Sequence, residues 1–473
     1  MNKLSLLILF PIFSTFITSC GDTTTTEAKT DKSMVATQSA ISTGKNNFPE
    51  WAKNATIYEV NTRQFTPEGT FSAFAKHIPR IKDLGIDILW FMPVYPISEK
   101  EKKGSLGSPY AVADYRSINP ELGTMEDFKE MIAQAHSMDM HVIIDWVPNH
   151  SGWDHPWITE HPEYYTQKDG KVIDPIDPET GESWGWTDVA DFNYDNKELR
   201  KEMIASMEYW IKEVGVDGLR CDVAHNVPDD FWDEAAAILF QYRPIFMLAE
   251  SEVPYHTNSG DFLATYAWKF NTLMNEIADG EKNASDIDTY LKNDRAEFQG
   301  GFHMYFTSNH DENSWQGTEF ERLGAGHKTF AVLVATIDGM PLVYGGQEAP
   351  VKKRLEFFER DPIEWNDYEY AAFYKTLLTL KHKNKALWNG EYGGKIIRIP
   401  TGKDTNVYAF TREKDGDKIV VIVNLCDKVQ EIKLSSDDCA GTYTNVFANS
   451  TISIEKDTEL TLNAWDYLVL SNK

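Results

Sequence analysis

Residues Glu213 to Pro228 read EVGVDGLRCDVAHNVP, a short apolar rise that ends on Arg220-Cys221-Asp222. Two residues apart on an extended strand, Arg220 and Asp222 share one face while Cys221 points to the other. A guanidinium fork beside a carboxylate keeps it ionised. With the strand ending there, the pair stands at the rim of a sheet, where an ionised, oriented carboxylate can attack as a nucleophile. A buried structural ion pair would show the same spacing, so the rest of the chain has to decide between them. Cys221, on the opposite face, reads as core and not as a reactive thiol.

Working outward, similar apolar runs recur at Ile57 to Val60, Ile86 to Pro93, His141 to Val147 and Ile245 to Glu250. Weaker ones lie at Tyr266 to Asn271, Phe302 to Asn309 and Pro341 to Gly346. Helical spacing fills the gaps, as in Phe71, Phe74, Ile78 and Ile81, or Met203, Met207, Trp210 and Ile211. Eight strand–helix alternations over about 330 residues predict an α/β fold, a (β/α)8 TIM barrel, longer than the typical ~250 because of loop insertions. One small loop-rich insertion follows strand 3, at about 151–190. Its Trp, Pro, Gly, Asp and Tyr content suits a subdomain over the barrel mouth. From about Asn384 the pattern changes to short β runs separated by turns, which reads as a C-terminal antiparallel β-sandwich. The barrel is therefore expected over 49–383 and the sandwich over 384–473.

Lys and Arg number 46 against 73 Asp and Glu, a formal charge of −27. That excludes a nucleic-acid backbone as partner, which needs positive surface. Residues 1–20 carry an early Lys and an apolar run too short for a confident membrane span, as in a secretory signal. Their ending, Ile17-Thr18-Ser19-Cys20, resembles a bacterial lipobox, so an extracytoplasmic protein held to a membrane through a lipid on Cys20 is expected. Residues 21–48 are Thr-, Ser- and Lys-rich and read as a disordered tether. Cys426 and Cys439 are candidates for pairing, which sequence leaves open.

In such barrels the working groups sit at the carboxyl ends of the strands. Those ends read Asp145-Trp146-Val147-Pro148-Asn149-His150, then Arg220-Cys221-Asp222, then Leu248-Ala249-Glu250, then Thr307-Ser308-Asn309-His310-Asp311. Several acids and two histidines converge on one mouth, and burying so many carboxylates without pairing or function is costly. The functional reading prevails.

The four strand ends resemble, in order, the four signature regions of the α-amylase family, glycoside hydrolase family 13. Gly85 to Pro93, Tyr110 with Asp114-Tyr115, Val189 to Asn193 and Gly339 to Glu348 extend the resemblance, which runs from about Trp51 to the end. It implies a retaining α-glycosidase acting on α-1,4-linked glucans or maltodextrins. Such chemistry needs an attacking carboxylate and a proton-donating carboxylic acid about 5–5.5 Å apart. By resemblance Asp222 is the nucleophile, kept ionised by Arg220. Glu250 is the acid/base, expected in a less polar position that keeps it protonated. Asp311 is the third family carboxylate, which binds sugar hydroxyls and stabilises the transition state. His150 and His310 hydrogen-bond the sugar at the cleavage point, Tyr110 is its aromatic platform, and Asp145 braces the site.

Two departures from the common pattern stand out. His225-Asn226 follow Ala224 where many members carry Lys-His, which leaves contacts beyond the cleavage point open and weakens a calcium site. No cofactor is required; a structural calcium would draw on Asn149 and Asp191. Ser251-Glu252 follow Glu250, and Glu252 reads as a solvated loop charge. Alternatives are a relative that cleaves α-1,6 bonds, isomerises or transfers glycosyl groups, and, outside enzymes, a non-catalytic glucan-binding surface lipoprotein. That last would have lost a carboxylate, and none is lost. The anchor has its own test: Cys20 should incorporate labelled fatty acid in cells, and a soluble, unlabelled mature protein would rule it out.

Overall fold

The computed structural model describes residues 47–177 and 180–473. The expected signal, the expected lipobox at Cys20 and the expected tether up to residue 46 lie outside the described residues. The last two tether positions are packed: Asn47 donates to the Phe240 carbonyl at 2.8 Å, and Phe48 meets the Phe240 ring edge-on at 5.3 Å. No helix among the described residues is long and apolar enough to cross a membrane.

Eight short strands form the centre: β1 (Ile57–Val60), β2 (Ile88–Phe91), β3 (His141–Trp146), β4 (Gly218–Cys221), β5 (Phe246–Ala249), β6 (Ala264–Tyr266), β7 (Phe302–Tyr305) and β8 (Met340–Tyr344). They pair in sequence order, all parallel, and β8 returns to β1 to close the barrel. Period-two alternation sorts their side chains. Ile57, Ile88, Trp90, Ile143, Leu248 and Met304 pack together inside. Their neighbours Tyr58, Leu89, Phe91, Ile144, Leu219 and Cys221 pack outward against the helices. Cys221 is therefore core, as its strand face required.

Sequence and structure differ in places. The sixth strand is Ala264–Tyr266, and most of the stretch expected to form it, from Trp268, is helix Trp268–Ala278. Phe270, Asn271, Met274 and Ile277 are buried at helical spacing there, so the three-to-four period overrides the short apolar run. The periodic stretch from Phe71 to Ile81 is two helices, Phe71–Ala75 and Ile78–Leu84, the second with Pro79 in its first turn.

The insertion after β3 is anchored by the antiparallel pair His150–Gly152 and Val189–Asp191, so it leaves and rejoins the barrel at one point. The C-terminal segment forms β9 (Ile397–Arg398), β10 (Val407–Lys414), β11 (Asp417–Asn424), β12 (Gln430–Lys433), β13 (Gly441–Asn445), β14 (Ser450–Ile454), β15 (Glu459–Leu462) and β16 (Tyr467–Ser471). Six make one antiparallel sheet in the order β9-β10-β11-β16-β13-β14, and β12 pairs with β15. Tyr408, Phe410, Val421 and Val423 face the helices that cover β7 and β8. Val407, Ala409, Val420 and Ile422 face Ile432 and Leu462 of the two-stranded sheet. Buried Arg412 locks the large sheet to the barrel, donating to the Thr336 and Ile337 carbonyls at 2.9 and 2.7 Å. A cation suits that place, the carboxyl end of helix His327–Thr336. Cys221, Cys426 and Cys439 are all free thiols.

Candidate active site

Parallel register brings the acids together. Asp145 on β3 lies opposite Arg220 on β4, and Cys221 lies opposite Ala249 on β5. Asp222 and Glu250 each leave their strand at the next residue, and the Glu250 amide donates to the Cys221 carbonyl at 2.9 Å. Both side chains reach one fully buried guanidinium. Arg220 Nη1 donates to Asp145 Oδ1 at 2.7 Å and to Asp222 Oδ1 at 2.8 Å. Its Nη2 lies 2.9 Å from Glu250 Oε2, and its Nε donates to the Tyr266 hydroxyl at 3.0 Å. The rings of Trp90 and Tyr266, 5.1 and 5.4 Å from the guanidinium carbon, stack on this cation.

One cation does not neutralise three acids. Burial pushes Asp222 well above the usual carboxylate range, only partly offset by Arg220 and reinforced by Glu250 and Asp145. Asp145 rises to about 6 by burial against the pull of Arg220 and His310. Glu250 would also rise by burial, but Arg220 and the Val223 amide, which donates to its Oε2 at 2.8 Å, hold it low. These directions run opposite to those expected from sequence, Asp222 raised and Glu250 lowered. Val223 presents that amide from a left-handed backbone, φ 42° and ψ 41°, a conformation costly for a β-branched residue.

A second cation stands across the floor. His310 Nδ1 donates to Glu59 Oε1 at 2.5 Å, and its Nε2 lies 2.8 Å from the Tyr110 hydroxyl and 3.3 Å from Asp311 Oδ2. Burial opposes the charge, but Asp311 and Glu59 together raise the imidazole to about 9. With His310 protonated, the Tyr110 hydroxyl accepts from it and donates its own hydrogen bond to Asp145 Oδ2 at 3.0 Å. Asp145 thus braces Arg220 and Tyr110 alike. Glu59 was read only as a strand residue. A charged side chain inside an apolar β run was the available signal. His150 is the neutral histidine: burial lowers it to about 4, and it meets Trp186 edge-on at 5.7 Å.

These groups open into one cleft of about 480 Å³, within the range of small-molecule sites. Tyr110, His150, Asp222, Glu250, His310 and Asp311 all line it. Arg220 and Asp145 lie behind that lining. Trp186, Trp315, Phe357 and Phe358 add an aromatic wall that composition alone could not locate. Glu252, half-buried, accepts the Lys269 amide at 2.9 Å in the first turn of helix Trp268–Ala278.

Asn149 and Asp191 supply one amide and one carboxylate, and the Asn149 amide nitrogen contacts His150 at 3.2 Å. Burial raises Asp191 to about 6, the behaviour of an acid without a cation beside it. Calcium takes about six to eight oxygens, and no group of three or more His, Cys, Asp or Glu side chains among the described residues is arranged to hold a metal. These two side chains alone do not make up a calcium site.

Comparison with known proteins agrees with this geometry. The model of the alpha amylase catalytic domain matches residues 16–387, and that of the maltogenic amylase C-terminal domain matches 399–469. Alpha-amylase 3 of Dictyoglomus thermophilum is 27% identical over 443 residues, covering 79% of this chain and 85% of that protein. The maltogenic alpha-amylase of Bacillus acidopullulyticus is 24% identical, with 89% and 78% covered. The crystal structure of a maltogenic alpha-amylase from Thermotoga neapolitana superposes with a TM-score of 0.79 at 28% identity, covering 89% of this chain and 98% of that one.

The buried His310 has a measurable consequence. Its proton is held more tightly folded than unfolded, from 6.5 up to about 9. The stabilisation is therefore complete below about pH 6.5 and is lost as pH rises through about 9. Denaturant unfolding from pH 6 to 10 should show stability falling across that window, by on the order of 3 kcal/mol. Glu59→Gln should flatten the slope, and an unchanged slope would contradict the Glu59–His310 pair.

Proposed function

This chain belongs to the alpha-amylase family and is a glycoside hydrolase; from that premise we propose that it hydrolyses α-1,4-glucosidic bonds of starch-type glucans or maltodextrins with retention of configuration. One observation carries the reading: Asp222 and Glu250 meet a single buried guanidinium at the floor of an aromatic-walled cleft. The names of two of the relatives, an alpha-amylase and a maltogenic alpha-amylase, favour the same bond type.

In this reading Asp222 attacks the anomeric carbon as the bond to the leaving oxygen breaks, and Glu250 gives that oxygen its proton. Water then attacks the glycosyl–Asp222 ester, Glu250 takes a proton from it, and Asp222 is released as a carboxylate. Asp311, His310 and His150 hold the hydroxyls of the attacked sugar, and Tyr110 supports its ring.

The cycle needs the proton on Glu250 and the charge on Asp222, against the direction in which the surroundings shift the two groups. Three acids around one cation titrate as a unit, so one proton moved within the group sets the reactive state. A glycosidic oxygen seated against Glu250 supplies the hydrogen-bond acceptor that favours its protonated form. Maltooligosaccharide hydrolysis followed by chromatography tests the assignment. Asp222→Asn and Glu250→Gln should each lose activity by on the order of a thousandfold. Wild-type rates in either variant would end the proposal.

A further inference from the structure

Residues 96–109, which follow β2, run along the rim of the cleft as a strap, and both of its sides are tied down. Toward the insertion, Asp154 accepts the Glu99 and Lys100 amides at 2.7 Å each. Lys103 Nζ reaches Asp188 Oδ1 at 2.7 Å and the Gly185 carbonyl at 3.3 Å. Toward the loop after β8, the Leu106 amide donates to the Phe358 carbonyl at 3.1 Å and the Ser105 amide to Glu359 Oε1 at 2.7 Å.

Two glycines allow the approach at the two junctions. A Cβ on Gly152 would fall 2.3 Å from Ser98 Cβ, and one on Gly104, φ +64°, would fall 2.5 Å from Phe358 Cβ. Any side chain there would push the strap away. The loops after β2, β3 and β8 are in this way one collar, closed by hydrogen bonds and an ion pair. Asp188 in that pair is only 7% exposed, and a half-buried pair is less screened than a surface one.

The collar's position decides its effect. Lys103, Asp188 and Phe358 share the cleft wall with Tyr110 and His150. In the reaction described above, the sugar under attack rests against Tyr110 and His150, and the leaving chain departs on the Glu250 side. The rest of the donor chain, running to its non-reducing end, would have to pass where the collar stands.

We propose that the collar of Lys103, Asp188, Gly104 and Phe358 closes the donor end of the cleft, so that this enzyme attacks α-glucans from their non-reducing ends and releases short products. The inference rests on the retaining α-glycosidase reading and extends it from bond type to mode of attack.

The test compares two chromogenic maltoheptaosides, one free and one blocked by an acetal at the non-reducing glucose. Wild-type enzyme should cleave the free substrate and cleave the blocked one at less than about a hundredth of that rate. Lys103→Ala combined with Glu359→Ala, which removes one side-chain tie on each side of the strap and loosens it there, should raise the blocked-to-free ratio at least tenfold. Equal wild-type rates on both substrates would overturn the collar, as would a ratio unmoved in the double variant. Cleavage of neither substrate by the wild type would overturn the glycosidase reading itself, and the collar with it.

Discussion

The site depends on one shortage of positive charge. Arg220 is fully buried and contacts Asp145, Asp222 and Glu250, and among the described residues no other cation is paired with these three acids. Left in water, each acid would ionise near pH 4. Gathered around one guanidinium in a low-dielectric setting, they cannot all do so. The three therefore titrate as one coupled group, and the catalytic question becomes which acid carries a proton in the reaction. The barrel enforces this by register alone: neighbouring parallel strands put Asp145 beside Arg220 and end on Asp222 and Glu250.

The surroundings keep that cluster from relaxing. His310, held between Glu59 and Asp311, supplies a second buried cation from the opposite side and connects to Asp145 through Tyr110. Trp90 and Tyr266 flank the guanidinium, which is fully buried between strands. Val223 accepts an unfavourable backbone so that its amide meets Glu250. Above this rigid floor the loops after β2, β3 and β8 are cross-linked, so the entrance is shaped by the same strand ends that carry the chemistry.

Much of this was legible in the chain. The acids at strand ends announced themselves because they interrupt apolar runs at places where a barrel concentrates function. Cys221 was assigned to core from parity alone. What escaped detection had no local signature. Glu59 lies in the middle of Ile57-Tyr58-Glu59-Val60, and only closure of β1 against β8 and β2 turns it inward toward His310. The sixth strand is three residues long, too short to outweigh the helical pattern that follows it. Strands β12, β14 and β15 alternate with exposed polar residues and resemble loops until they pair. The direction in which Glu250 is shifted depends on where its carboxylate points, and that is set by the turn at Val223.

The central claim is that Asp222 attacks the sugar directly from beside Arg220. A mechanism-based fluorinated α-glucosyl fluoride, whose second step is slow, followed by peptide mass mapping tests it most directly. The account predicts one glycosyl adduct on the peptide carrying Asp222, formed as activity is lost. Turnover of the reagent with no adduct, or an adduct on any other carboxylate, would contradict it.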